Sequence, residues 1–129
     1  MAKYDLYPEI KVNQYSGAWR GYPLIVGEIK KHIRKEKTII AVESYIGVHN
    51  EEIKTHLVDT LQPELEIFAD DLAFDGDVIT EMVKRNLTDD RVFGVMSHQT
   101  LDEFYDKGSL YQAGMQIEQA KGLVVIYGT

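Results

Sequence analysis

The sequence predicts an α/β domain of three layers, in which a mainly parallel sheet of about four strands carries helices on both faces, as in Rossmann-like or degenerate P-loop-like folds. Two observations favour this class. Short runs of apolar, often β-branched residues alternate along the chain with longer segments whose apolar residues recur every three or four positions. Strands that alternate with helices in this way are typically parallel and joined by right-handed connections.

The chain divides into two segments. Residues 1–22 form an aromatic strap, whose tyrosines, Trp19 and Arg20 suit packing over the sheet, a subunit contact, or the binding of a sugar or phosphate. Residues 23–129 form the α/β domain. We also expect the chain to be truncated at its carboxyl terminus, because an apolar strand normally feeds another helix or pairs deep within a sheet.

The first half of the domain is predicted to contain two helices and one strand. The first helix covers residues 23–36, and Pro23 suits its first turn. The apolar residues on its buried side are Ile25, Ile29 and Ile33. Residues 38–43 form the first strand, and a second helix then runs from Asn50, its N-cap, to Pro63.

Two more strands and a helix follow. Residues 65–69 form the second strand, and a helix with an apolar stripe opens at Asp75. A short third strand is predicted over residues 92–96.

The last part of the chain is predicted to contain two helices and a strand. Capping-box patterns begin at Thr100 and at Ser109, so we expect a short helix and a longer one, separated at Gly108. Gly122 ends the longer helix, and residues 123–127 form the fourth strand.

Composition narrows the classes of partner. The chain has 14 basic and 21 acidic residues, a net charge of −7, so we expect no nucleic acid partner. It contains neither a secretory signal nor an apolar stretch of the roughly 20 residues that span a bilayer, so we expect no membrane partner. Without cysteine it has no thiolate metal site, which favours a cytoplasmic protein.

A ligand-binding crevice is predicted where the strands end. The carboxyl ends of parallel strands meet at one edge of the sheet, and ligands of open α/β folds bind there. The candidate ligand-binding residues are Glu43, Ser44, Gly47, His49, Asp70, Asp71 and His98.

Two kinds of chemistry suit this crevice. Asp70 and Asp71 are candidates for a Mg²⁺ site because this hard cation prefers carboxylate oxygens; alternatively, Asp71 bonds its own loop and Asp70 is solvated. His49 and His98 suit proton transfer or metal binding, with structural roles as the alternative.

The turn after the first strand lacks the features of a nucleotide-binding phosphate loop. This turn lacks the lysine and the second glycine of a Walker loop. Glu51 and Glu52 also place negative charge at the start of the following helix, where they would repel a phosphate. We therefore expect neither nucleotide hydrolysis nor kinase activity at this turn and assign no catalytic residue, although the backbone can still bind one phosphate.

Four stretches are distinctive in combination. They are Tyr7-Pro8-x-Ile10-Lys11-Val12, residues 40–48, residues 87–94, and Val124-Val125-x-Tyr127-Gly128. Together they resemble the amino-terminal region of long bacterial proteins, the class I mannose-6-phosphate isomerases, over nearly the whole chain. In those proteins this region is similar to a degenerate nucleoside-kinase or P-loop module and precedes a cupin isomerase domain.

The resemblance implies a parent enzyme of carbohydrate metabolism. Its isomerase chemistry belongs to the cupin domain, where a divalent metal, usually zinc, is held by Gln, His, Glu and His; no such ligand is carried over to this chain. We therefore expect a module that is not catalytic by itself and that binds a phosphorylated ligand or nucleotide weakly, or organises the parent enzyme.

Two alternatives stay open. One is a Mg²⁺-dependent phosphotransferase or phosphohydrolase that uses Asp70 or Asp71. The other is a structural module that forms a homo-oligomer through Tyr127, the edge of the last strand, or the aromatic strap.

Overall fold

A computed structural model of the chain describes residues 17–129. The predictions for residues 1–16, which include most of the aromatic strap, lie outside the described residues. Within the described part of the chain, no helix combines the length and the apolar character that crossing a bilayer requires.

Among residues 17–129, three parallel strands form the sheet: β1 (Thr38–Glu43), β2 (Leu65–Phe68) and β3 (Leu123–Gly128). Their order is β1-β3-β2. The predicted mixed α/β class is confirmed, but the sheet has three strands where four were predicted. Because β3 is central and Tyr127 is 4% exposed, neither the edge of the last strand nor this tyrosine offers a contact to a second copy.

The missing strand is the one predicted over residues 92–96. Here the chain folds back onto Asn86, whose side-chain amide donates to Val95 O (3.1 Å) and whose carbonyl accepts from Val95 N (2.8 Å). The segment's apolar side chains are exposed: Val92, Phe93, Val95 and Met96. The prediction of a strand here was therefore wrong. A short apolar run has no periodicity by which the sequence alone could distinguish a strand from another structure.

Helices cover the two faces of the sheet. On the first face, α1 (Tyr22–His32) and the helical rod of residues 50–61 pack against β1 and β3 around the fully buried Val58 and Val125. On the second face, α5 (Lys107–Gln119) packs against β2. The chain passes from β1 to β2 along one face and returns to the central strand along the other, as right-handed connections require.

The rod of residues 50–61 contains a π-helical segment. It consists of α2 (Asn50–Ile53), the π segment Lys54–Val58 and α3 (Asp59–Leu61), and it ends before Pro63 as predicted. Its N-cap, however, is His49, whose carbonyl accepts from Glu52 N (3.0 Å) and Ile53 N (3.3 Å). The Asn50 side chain caps nothing, because it donates to Asp70 Oδ2 (3.4 Å) across the sheet edge.

The end of the first helix also differs from the sequence prediction. The first helix ends at His32, before residue 36, because Ile33 is extended and Arg34 N donates to Thr38 Oγ1 (3.1 Å). A third helix, α4, spans Gly76–Val83 and begins one residue after Asp75, as predicted.

The longest helix begins earlier than predicted. Its N-cap is Asp106, which accepts hydrogen bonds from Ser109 N (2.7 Å) and Ser109 Oγ (2.9 Å). Gly108 therefore lies within α5 and does not separate two helices. The pattern at Thr100 does open a short 3₁₀ helix, Leu101–Phe104, in which the Glu103 carboxylate accepts from Thr100 N (3.5 Å) and Thr100 Oγ1 (3.2 Å).

Candidate functional site

Hydrogen bonds tie the three strand ends together at the carboxyl edge of the sheet. Ser44 N, after β1, donates to Gly128 O (2.7 Å). Thr129 N, after β3, donates to Asp70 Oδ1 (2.8 Å) in the loop after β2. Tyr105 Oη also donates to Thr129 O (2.8 Å), so both backbone groups of this residue are held.

Asp70 is the residue that links these loops. One carboxylate oxygen accepts from Thr129 N and the other from Asn50 Nδ2. It therefore connects the end of β2 with the end of β3 and with the start of the 50–61 rod. This is a positioning role, and it engages both oxygens of the carboxylate.

Asp71 faces a different environment. It is exposed and lines a cavity of about 510 Å³ between the start of the 50–61 rod and β2, which we call the acidic cavity. Asp70 does not line this cavity. The neighbouring aspartates thus diverge, and their arrangement gives no support to a Mg²⁺ ion that both would bind.

The floor of the acidic cavity is a network around Glu66. The Glu66 carboxylate accepts hydrogen bonds from Tyr127 Oη (2.8 Å) and Lys54 Nζ (2.9 and 3.1 Å). Lys54 Nζ also contacts Asp59 Oδ1 at 3.0 Å. Side chains from the rod, β2 and β3 therefore meet at one carboxylate.

Two groups of this network, Lys54 and Tyr127, have raised pKa values. Hydrogen bonds to Glu66 and Asp59 raise the pKa of Lys54 above its ordinary range. Burial, followed by the hydrogen bond to Glu66, raises the pKa of Tyr127 to about 12. Both groups stay protonated at neutral pH, so they suit orientation and hydrogen bonding better than proton abstraction.

Two aromatic rings and an amide complete the lining. The Phe68 and Tyr127 rings pack with centroids 5.0 Å apart and an interplanar angle of 31°. Asn50 also lines the cavity, and its Oδ1 atom is buried without a hydrogen-bond partner among the described residues. The polar lining therefore consists mainly of acceptor oxygens.

The charge of the cavity disfavours a bare anion. Of the described residues, three carboxylates line it, those of Glu51, Glu66 and Asp71, together with one ammonium, that of Lys54. That ammonium is already paired with Glu66 and Asp59. A phosphate group would meet net negative charge here.

The structure places the other predicted site residues around the edge and outside the cavity. Glu43 ends β1 opposite Gly128, and Ser44 is buried with its Oγ unpartnered among the described residues. Gly47 has a φ of 92° in an exposed turn, and His49 is exposed at the N-cap of the rod. These residues surround the end of β1, and none of them lines the acidic cavity.

His98 does not belong to the carboxyl edge of the sheet. Its placement there depended on a strand over residues 92–96, which does not form, and the residue is exposed in an irregular segment. Across residues 17–129, no three His, Asp or Glu side chains are grouped so that they could hold a metal ion.

Sequence reasoning missed most of the acidic cavity. Lys54 and Glu66 are twelve residues apart on different elements, so no local pattern indicates their contact. One signal was available: Glu66 shares a face of β2 with Phe68, where an apolar residue is expected. A charge at such a position indicates a partner across the interface.

Comparison with known protein families matches residues 21–129 to a domain of unknown function, DUF8485. Neither curated proteins nor solved structures gave a match. The matched region contains the whole sheet and the acidic cavity.

Proposed function

We propose that this chain, which belongs to the DUF8485 family, is a non-catalytic module that binds a small, hydroxyl-rich ligand in the acidic cavity and organises a larger enzyme of the class I mannose-6-phosphate isomerase type. The resemblance of its sequence to the amino-terminal region of those isomerases suggests the parent enzyme and, with it, a sugar as ligand. The absence of cysteine supports a cytoplasmic location for that enzyme.

The lining of the acidic cavity is the observation that carries the binding role. Carboxylates accept hydrogen bonds but do not donate them, so Glu51 and Asp71 suit the hydroxyl groups of a sugar. The Phe68 ring offers an apolar surface for the sugar's carbon atoms. A volume of about 510 Å³ lies in the range of small-molecule sites.

A phosphate on the ligand would add little to affinity at this site. Its charge would be repelled by the cavity's carboxylates, and Lys54 is neutralised by Glu66 and Asp59. Phosphorylated sugars and nucleotides are therefore bound weakly, and Mg²⁺ would improve their binding by screening the repulsion. The organising role then depends on the fold and not on turnover.

Calorimetric titration tests the proposal. We expect mannose to bind with a dissociation constant near 1 mM, about −4 kcal/mol. Mannose 6-phosphate should bind no more tightly than mannose unless Mg²⁺ is present. Asp71→Asn should weaken mannose binding, because the amide replaces one acceptor oxygen by a donor.

Asp89→Asn is the matched control. It makes the same change of charge and shape at an exposed residue that does not line the acidic cavity, so mannose binding should be unchanged. Absence of binding for mannose and mannose 6-phosphate would refute the ligand-binding role. Tight binding of Mg²⁺-ATP that Asp71→Asn abolishes would instead favour the alternative of a Mg²⁺-dependent phosphotransferase.

A further inference from the structure

β1 is an edge strand with an open side. It pairs with β3 along its whole length, Thr38–Glu43, and among residues 17–129 no strand pairs with its other side. Its sequence, TIIAVE, has none of the prolines or central charges that protect edge strands from pairing. The face of β1 that points away from α1 and the 50–61 rod is also open, since Ile39 on that face is 51% exposed.

The backbone groups on the open side belong to alternate residues. Thr38 N donates to Gly122 O and Ser44 N to Gly128 O, so the even-numbered residues of β1 direct their amides towards β3. The odd-numbered residues therefore direct both backbone groups outwards. Within β1 they are Ile39, Ala41 and Glu43.

We propose that the open edge of β1 pairs with the same edge of a second copy of this chain, antiparallel and centred on Ile40, so that the two sheets join into one. In this register Ile39 lies opposite the partner subunit's Ala41, and Lys37 lies opposite the partner subunit's Glu43. A two-fold axis perpendicular to the sheet relates the copies, as a closed dimer requires.

The register is self-complementary in its hydrogen bonds. Odd-numbered residues lie opposite odd-numbered residues of the partner subunit, and each such pair can exchange both of its backbone hydrogen bonds. Even-numbered residues keep their bonds to β3. A shift of the register by one residue would place odd-numbered residues opposite even-numbered ones, whose amides point towards β3. It would also bring opposite faces of the two sheets to the same side.

The side chains suit the same register. Opposed residues share a face of the sheet, so Ile39 covers the small Ala41 of the partner subunit and both lose exposed apolar surface. At the ends, Lys37 and Glu43 bring opposite charges together. Lys37 Nζ already donates to the carbonyls of Ile117 and Glu118 at the end of α5, which keeps its ammonium on this face.

Sedimentation velocity of the full chain, at concentrations up to about 1 mM, tests the proposal. We expect a dimer that dissociates on dilution. Hydrogen exchange gives the register: the amides of Ile39, Ala41 and Glu43 should exchange about tenfold more slowly in the dimer, whereas those of Ile40 and Val42 should be protected at every concentration.

Substitutions that break the pairing can also restore it. Ile39→Lys and Ala41→Glu should each yield monomers, because each places a charge against an apolar partner. Mixed in equal amounts, the two variants should form a heterodimer, since the new lysine and glutamate lie opposite one another. Leu24→Lys is the matched control: it makes the same change at an exposed position on α1, 60% exposed, and should keep the dimer.

Three outcomes would overturn the proposal. The first is that the full chain stays monomeric at every concentration. The second is a dimer that persists in Ile39→Lys, which would place the contact elsewhere. The third is protection of the outward amides already in dilute monomer, which would mean that another part of the chain covers β1. Circular dichroism of both variants verifies that they are folded, and recovery of the heterodimer excludes misfolding as the cause of dissociation.

Discussion

Asp70 and Gly128 lie so close that the glycine has no room for a side chain. A Cβ atom at Gly128 would be 2.8 Å from Asp70 Oδ1, the oxygen that accepts the hydrogen bond from Thr129 N. Gly128 also has a φ of 136°, in the region that favours glycine. The end of β3 is therefore shaped around the carboxylate that follows β2.

Gly128→Ala should destabilise the domain. The methyl group meets Asp70 Oδ1 and strains the backbone, at a cost of about 1–3 kcal/mol in the free energy of unfolding. Urea denaturation followed by circular dichroism measures this loss. Gly27→Ala is the control, because nothing lies within 4 Å of a Cβ at this position of α1. It should be neutral or stabilising by up to about 1 kcal/mol, and equal effects at the two positions would contradict the steric argument.

The Tyr127–Glu66 contact should make stability depend on alkaline pH. Burial and the bond to Glu66 raise the pKa of Tyr127 from 10.0 to about 12, so the folded state holds this proton longer than the unfolded state. The stabilisation is complete below pH 10 and is lost as the pH rises to about 12. Urea denaturation across this interval should show the free energy of unfolding falling.

Glu66→Gln isolates the cause of that dependence. It retains an acceptor for Tyr127 Oη but removes the charge, so the pKa of Tyr127 should fall towards 10.0. Ultraviolet titration of tyrosine ionisation measures the change. Glu81→Gln, on the exposed side of α4 next to Lys84, is the matched control and should leave the titration unaltered. An unchanged Tyr127 in Glu66→Gln would assign the whole shift to burial.

The cap of α5 should lose its effect in acid. The backbone amide of Ser109, followed by its hydroxyl, lowers the pKa of Asp106 below its ordinary 3.8, because both donate to the carboxylate. The folded state thus releases this proton more readily than the unfolded state. The contribution to stability is present above pH 3.8 and is lost as the pH falls through the lowered value.

Asp106→Asn tests the cap with a side chain that does not titrate. Asparagine still caps a helix, so near neutral pH the variant should be only slightly less stable, whereas Asp106→Ala should be clearly less stable. Thermal unfolding at neutral and acid pH makes the comparison. If Asp106→Asn loses as much stability as the wild type on acidification, carboxylates elsewhere in the chain account for the acid sensitivity.

Local patterns in the sequence determined the class of the fold and the order of its elements. The apolar runs of residues 38–43, 65–69 and 123–127 are short and contain β-branched residues, as is typical of strands, and each is observed as a strand within one residue at either end. The periodic apolar residues between them likewise form helices. These features depend on neighbours in the chain, so they can be predicted without the fold.

Residues 92–96 show where local pattern fails. Their apolar character fits a strand, but a strand exists only if a neighbour supplies hydrogen bonds, and here Asn86 takes that place. Asn50 fails similarly as an N-cap, because Asp70 competes for its side chain. In both cases a hydrogen bond to a residue nine or more positions away in the chain outweighs the local preference.

Local sequence patterns therefore predict the α/β class and the three observed strands. Three features appear only in the folded chain: the central position of β3, the different surroundings of Asp70 and Asp71, and the cavity floor formed by Lys54, Glu66 and Tyr127. Strand order and side-chain pairing depend on packing between elements distant in the chain, and a single sequence gives at most an indirect signal for such contacts, as the charge of Glu66 in β2 does.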